Sequence, residues 1–428
     1  MKSRISAYTL IGAAALTLGS CGTSRVANNT KQDVVISKSD ENPDPSFLIL
    51  SDAQRGMITR NNDFALRLFQ KTSGMDSRVM SPLSVTYLMS VLANGADGQT
   101  RQEILSTIGW GDSGKDAVSL QDVNDFCRMM MDKVAREDKA VTVDIANYVA
   151  VNNRLTVGEG FRKAVTDNYR AGVESLDFSS SKTLKHINDW CSKQTRGMIP
   201  SIIDNVSPQD VSYLLNAIYF NGTWTDPFDK QDTQLERFRG YTRDIKRVDM
   251  MHRNDSYFYA EGKGFKAVEI PYGNRSFSMT VLLPDEDKSI DEVLGGLSAE
   301  KLNMLRQDLE KCEVDLKLPR FTTELEQPLN EVIASLGAPS MFSSSANFSR
   351  LASGDFFVSK MLQKAKIEVS EEGTKAAAVT AAIMTMSALN PEGPRRVDFH
   401  ADRPFLYLIT EAQTGAILFI GQYTGDNL

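Results

Sequence analysis

The sequence predicts an α+β fold with mixed sheets, on three observations. Helix-patterned segments cluster early, strand-patterned segments crowd the middle and the end, and neither an internal repeat nor regular strand–helix alternation links them. Asn62 to Phe69 sets Phe64, Leu66, Leu68 and Phe69 in a helix-compatible pattern. After a polar break, Ser81-Pro82 is a turn that starts a second helix, and Val85 to Ala93 is apolar on all sides, as a buried helix is. Asp122 to Val134 and Thr183 to Thr195 also read as helices. Alternating apolar and polar residues predict strands near Val141 to Val151, Ala267 to Pro271, Phe277 to Leu283 and Glu313 to Leu318, and Leu214 to Phe220 reads as a buried strand.

With 428 residues and a net charge of −7, the chain has the composition of a soluble globular protein. Its pI of about 5.3, with no basic stripe interleaved with aromatics, argues against nucleic acid. Enzymatic signals are weak. Gly262-Lys263-Gly264-Phe265-Lys266-Ala267 matches a dinucleotide-binding form, but Val268-Glu269-Ile270-Pro271 reads as a strand where a helix is needed, so the segment is a turn between strands. No nucleophile elbow, phosphate loop or HExxH is present, and neither catalysis nor a cofactor is expected. Asp285, Glu286 and Asp287 form a solvated acidic turn.

The first residues form a targeting segment. Lys2 and Arg4 precede the apolar run Ala7 to Leu18, which is too short for an ordinary spanning helix. It closes on Leu18-Gly19-Ser20-Cys21, which resembles the lipobox of bacterial lipoproteins, where the Cys is acylated; the alternative is a plain secretory signal with a chance Cys. The expected organisation is a signal peptide over 1–20, a tether over 21–54 rich in Asn, Asp, Ser and Pro, and one domain over 55–428. The resulting protein is exported and lipid-anchored in the cell envelope, periplasmic or surface-exposed. Cys127, Cys191 and Cys312 are expected as buried free thiols. His186, His252 and His400 stand far apart in sequence with no Cys cluster, so no metal site is expected.

The most informative stretch is Glu371 to Arg396. From Thr374 to Met386 it has no Pro, no Gly and one charge, the composition of a strand, yet a turn-rich run from Asn390 to Arg396 follows, and Arg395-Arg396 reads as a solvated loop tip. A loop able to become a strand is a conformational device.

The chain resembles the serpins from about Asn62 to its C-terminus. The carrying residues are Ser81-Pro82-Leu83-Ser84 leading into Asn94-Gly95-Ala96-Asp97-Gly98-Gln99-Thr100, and Leu215-Asn216-Ala217-Ile218-Tyr219-Phe220-Asn221-Gly222-Thr223-Trp224. Glu269-Ile270-Pro271-Tyr272, Leu318-Pro319-Arg320-Phe321 and Asp402-Arg403-Pro404-Phe405-Leu406 follow in order. The strongest marker is Glu371-Glu372-Gly373-Thr374-Lys375-Ala376-Ala377-Ala378, which looks like the hinge of the reactive-centre loop.

The resemblance implies three β-sheets with a shell of about eight to nine helices, and an exposed loop offered as bait to a serine protease. After acylation and cleavage the loop enters the central sheet as a new strand and carries the covalently held protease with it. An inserting strand buries alternate side chains: Thr374, Ala376, Ala378, Thr380 and Ala382 form a small, uncharged face, and Lys375, Ala377, Val379, Ala381 and Ile383 form the other. The hinge-to-bond distance places the bait bond between Ser387 and Ala388, with Met386 as the alternative residue before it. These suit chymotrypsin-, elastase- or subtilisin-like proteases. By the same resemblance Ser81, Ser84, Asn216 and Gln363 form a polar network beneath the sheet opening, and Trp224 stands where insertion begins. Gln363 occupies a position where many members carry His, which alters the pH response of that network. The expected protein is a monomeric suicide inhibitor; the alternative is a non-inhibitory serpin-fold binding protein, whose hinge is often bulky, charged or Pro-bearing.

Overall fold

The computed structural model describes residues 48–72, 74–111, 117–136, 138–374 and 394–425. The chain divides into units Met1–Asp44 and Pro45–Leu428, and the first lies outside the described residues. In order, the elements are α1 (Asp52–Thr72), β1 (Arg78–Met80), α2 (Pro82–Gly95), α3 (Gly98–Thr107), α4 (Leu120–Arg136), β2 (Val141–Asn152), β3 (Thr156–Val157), α5 (Glu159–Tyr169), β4 (Gly172–Leu176) and α6 (Lys182–Gln194). Then follow β5 (Ser212–Thr223), β6 (Gln234–Arg239), β7 (Ile245–Gly262), β8 (Phe265–Tyr272), β9 (Phe277–Pro284), α7 (Ile290–Gly296) and α8 (Ala299–Gln307). The chain ends with β10 (Glu310–Pro319), β11 (Phe321–Pro328), α9 (Asn330–Leu336), β12 (Ala352–Ser353), β13 (Lys360–Ser370), β14 (Gly373–Thr374), β15 (Arg396–His400), β16 (Phe405–Glu411) and β17 (Ile417–Tyr423).

The α+β expectation holds, with nine α-helices among the described residues. The six-stranded sheet has the order β11-β13-β14-β5-β2-β4. A nine-stranded sheet turns at the long strand β7: its first part pairs with β6 and β10, its end with β8, so β6-β7-β10-β15 and β1-β17-β16-β9-β8 act as two layers. With the six-stranded sheet these make three, beside a small β3–β12 ladder.

The core lies where the sheets face each other. Phe220 of β5 meets Phe277 and Phe419 edge-on, and Phe321 of β11 stacks on Tyr423. Between them runs α2, buried from Pro82 to Ala93. Its start follows the sequence: Ser81 is the N-cap, its hydroxyl accepting from the Ser84 N–H, and Pro82 supplies a residue whose missing N–H costs nothing there. The helix expected over Asn62 to Phe69 extends to Asp52, because Met57 and Ile58 continue its buried stripe. Residues ahead of the expected boundary at 55 already dock: Leu48 N–H donates to Gln413 Oε1 at 3.1 Å, and Gln413 Nε2 donates to Leu48 O at 2.6 Å. Among the described residues no helix is long and apolar enough to cross a membrane.

Candidate functional site

In the six-stranded sheet, β5 and β13 run parallel and pair directly from Tyr213↔Lys360 to Tyr219↔Lys366. Above that they part, and β14 enters between them, antiparallel to both. Thr374 and Gly373 face Val369 and Ser370 on one side and Gly222 and Thr223 on the other. The first strand-forming residues of the expected hinge therefore already occupy the mouth of the slot.

The return at Glu371-Glu372 is held by backbone bonds a strand end otherwise lacks. Trp224 N–H donates to Glu372 O at 3.0 Å, Phe228 N–H to Glu371 O at 2.9 Å, and the Trp224 indole N–H to Ser370 O at 2.9 Å. The Glu371 carboxylate is buried, accepting from Thr233 Oγ1 at 2.8 Å and from Arg320 at 3.3 Å, so its charge is compensated. Glu372 pairs with Lys230 at 2.5 Å on the surface.

Gly373 has φ of +136°, and a Cβ there would stand 2.2 Å from Gly222 O and 2.7 Å from Thr223 Cα. Only glycine fits. Gly373→Ala is expected to push β14 out of the slot, at a cost of about 1–3 kcal/mol. Hydrogen exchange of the amides over 370–374 checks this: they exchange faster in the variant.

Thr374 is fully buried, and its hydroxyl lies 2.8 Å from the Tyr272 hydroxyl. Tyr272 stacks on Trp224, ring centroids 4.3 Å apart, and burial pushes its phenol well above the usual range, against the opposing pull of the Thr374 hydrogen bond. The ring pair thus forms a buried aromatic wall beside Thr374.

Lower down, at the middle of the closed ladder, Gln363 lies opposite Asn216. Gln363 Nε2 donates to Asn216 Oδ1 at 2.7 Å and to Ser81 O at 2.9 Å, and Gln363 Oε1 accepts from Ser81 N–H at 3.0 Å. Asn216 Nδ2 continues to Asn147 Oδ1 at 2.9 Å. All four residues are buried, and none of their side chains titrates in the ordinary range. Ser84 departs from the expected network: its N–H bonds the Ser81 hydroxyl at 3.4 Å, but its own hydroxyl finds no partner among the described residues.

Lys375, Ala376, Ala377 and Ala378, the bait residues Met386, Ser387 and Ala388, and Cys21 all lie outside the described residues. Arg395 and Arg396 do not form a loop tip: Arg396 opens β15 and pairs with Glu313 at 3.2 Å, while Arg395 pairs with Glu261 at 2.6 Å over the Tyr259 ring. Cys127, Cys191 and Cys312 are buried and free, with burial pushing the Cys127 and Cys191 thiols up to about 12. Two histidines that are distant in sequence, His252 and His400, meet on Asp315. Burial pushes the Asp315 carboxyl up, but the hydrogen bonds and charge of the two imidazoles outweigh it and hold the carboxyl below its ordinary range. Tyr272, Arg320, Thr233 and Asn147 were not singled out for a role by sequence reasoning, although Tyr272 and Arg320 stand in the ordered markers.

The family model described as Serpin (serine protease inhibitor) matches residues 59–425. Leukocyte elastase inhibitor A of Rattus norvegicus is 33% identical over 383 residues, covering 86% of this chain and 98% of its own. Antitrypsin of Bombyx mori is 33% identical over 371 residues, covering 84% and 92%. Among solved structures, the thermophilic serpin tengpin in its native state superposes with a TM-score of 0.77 at 28% identity, covering 90% of this chain and 96% of its own. Human thyroxine-binding globulin complexed with thyroxine superposes with a TM-score of 0.80 at 25% identity, covering 88% of this chain and 100% of its own. With the sheet, the slot and the hinge in place, the chain belongs to the serpin family of serine protease inhibitors.

Proposed function

We propose that the chain is a suicide-substrate inhibitor of chymotrypsin-, elastase- or subtilisin-like serine proteases, and that its cleaved loop enters the six-stranded sheet between β5 and β13. The observation that supports this most is β14, whose pairing on both sides sets Gly373 and Thr374 between β13 and β5. With Thr374 turned toward Tyr272, strand alternation carries Ala376, Ala378, Thr380 and Ala382 to the interior side and Lys375 to the opposite one. Small uncharged residues pass into a packed interior without stranding a charge.

The chemistry begins with the protease. Its serine attacks the carbonyl of Ser387, the amine of Ala388 leaves with a proton, and an ester joins the protease to the N-terminal part of the loop. Freed at that end, the loop advances from β14 and parts the β5–β13 ladder. Gln363 and Asn216 separate, yet Gln363 keeps Ser81 and Asn216 keeps Asn147, so neither buried amide is stripped of all partners. The attached protease is drawn along before water hydrolyses the ester. Cleavage at Met386 differs by one residue of travel, about 3.3 Å.

The native state in this reading is kinetically trapped, and its lifetime is a rate of loop insertion. Cys21 is the lipidation site, and the run after it, rich in Asn, Asp, Ser and Pro, is the tether of a monomer held at the cell envelope; the lipobox-like run supports this.

Mixing the protein with chymotrypsin, an elastase and subtilisin, followed by denaturing gels and intact mass analysis, tests the reading. A complex that survives denaturation is expected, with a released C-terminal peptide beginning at Ser387 or Ala388. Clean cleavage without a complex across all three would return the chain to a non-inhibitory serpin-fold binding protein.

A further inference from the structure

The outward face of β7, β10 and β15 gathers side chains with metal-ligating atoms from three separate strands. His252 Nε2 lies 2.5 Å from Asp315 Oδ1, and His400 Nε2 lies 2.9 Å from Asp315 Oδ2. The register explains the meeting: Lys317 is opposite His252 on one side and His400 on the other, and Asp315 is opposite Asp398. Alternation sends Val314, Leu316 and Phe399 into the core and leaves these polar residues on one surface. Ligand atoms of Asp315, Asp398 and His400 all lie within 4.8 Å of one another.

We propose that His252, His400, Asp315 and Asp398 form a binding site for a divalent transition ion of the zinc class, which clamps β15 to β10 and β7. Two imidazole nitrogens and two carboxylate oxygens suit zinc better than calcium or magnesium, which prefer all-oxygen shells, or copper(I), which prefers sulfur. Around a tetrahedral zinc with bonds of about 2.0–2.1 Å, neighbouring ligand atoms stand about 3.4 Å apart. The atoms of Asp315, Asp398 and His400, up to 4.8 Å apart, approach that spacing by side-chain rotation, and His252, already on Asp315, supplies the fourth ligand. Two carboxylates balance the charge of the ion. Lys317, opposite both histidines, is drawn aside to Glu236 at 2.7 Å, and Lys266 donates to the backbone oxygen of Asp398 at 3.5 Å and not to its carboxylate. The side chains of His252, Asp315 and His400 are 39%, 33% and 38% exposed, which gives an ion an open approach.

The clamp acts at a consequential place. Among the described residues β15 pairs with β10 alone, and it follows directly on the bait segment. An uncleaved loop is tied at both ends, so it enters the sheet fully only if β15 leaves its edge. An ion bridging β15 to its neighbours opposes that release and prolongs the inhibitory state. This consequence rests on the proposed insertion; the binding site does not.

Calorimetric titration of zinc into the chelator-stripped full chain tests the site. One ion per chain is expected. His400→Ala, His252→Ala and Asp398→Asn should each weaken binding by more than the about 10–100-fold typical of losing an outer partner. His186→Ala, whose histidine pairs with Glu174 elsewhere, should leave it unchanged. Circular dichroism of each variant separates ligand loss from misfolding. No saturable binding, or binding that survives His400→Ala in a folded variant, overturns the site. Zinc should also slow the spontaneous loss of inhibitory activity in the parent but not in His400→Ala; binding without that slowing overturns the clamp. If no protease is ever inhibited, the proposed function falls, while calorimetry still decides the site.

Discussion

Thr374→Arg is expected to convert the protein from inhibitor to substrate. Thr374 is fully buried between Gly222 and Val369 with its hydroxyl on Tyr272, so an arginine there would carry its guanidinium into a packed interior. Taking an unpaired guanidinium into the sheet costs several kcal/mol, so β14 leaves the slot and insertion starts late. Even about 3 kcal/mol on the insertion barrier slows it by roughly 100-fold, enough for deacylation to win. The bait bond itself is unaltered, so proteases should cut the variant at the parent rate while the yield of covalent complex collapses. Thr374→Ser, which keeps the hydroxyl and the small volume, should stay an inhibitor. The number of inhibitor molecules consumed per protease inactivated is the readout. Full stoichiometric inhibition by Thr374→Arg would sink the insertion argument.

Gln363→Ala is the second large effect. It leaves Ser81 N–H and Asn216 Oδ1 without their partner in a buried site, while Ser81 C=O keeps the Val85 N–H. At about 1–3 kcal/mol for each stranded group, the closed sheet loses several kcal/mol before any cavity is counted. Thermal unfolding should come earlier, and inhibitory activity should be lost faster on standing, because the β5–β13 ladder parts more easily. Gln363→His tests the same point through pH. A buried imidazole has its pKa lowered, so the unfolded chain binds more protons and stability rises with pH. The variant should match the parent above about pH 6.5 and lose activity faster below it. An unchanged lifetime of Gln363→Ala would remove the network from the gating of the sheet.

Much of this site is legible in the sequence because local rules fix it. Ser81-Pro82 is an N-cap followed by a residue suited to the first turn, and Leu214 to Phe220 is long and apolar enough to be a central strand. Gly264, with φ of +83°, is the turn expected between strands in place of a phosphate loop. Gly373 is a hinge glycine whose positive φ the local sequence does not reveal. What stayed hidden depends on pairing between distant segments. β14 is two residues long and exists only because β5 and β13 part around it. Arg396 becomes a strand residue because β10 offers it an edge, and His252 and His400 meet because β10 lies between their strands. The family resemblance implies Ser84 as a network member, yet its hydroxyl faces no partner among the described residues.

The central claim is that cutting the loop releases a strand into the sheet. It is tested most directly by comparing thermal unfolding of the intact protein with that of the same protein nicked within 375–393 by a protease it does not trap. A new central strand adds hydrogen bonds on both sides and buries its small face, gaining many kcal/mol. Each kcal/mol is worth about 2–4 °C in a domain of somewhat smaller size, so the nicked form should melt more than about 10 °C above the intact one. A nicked form that melts at or below the intact temperature would contradict the account.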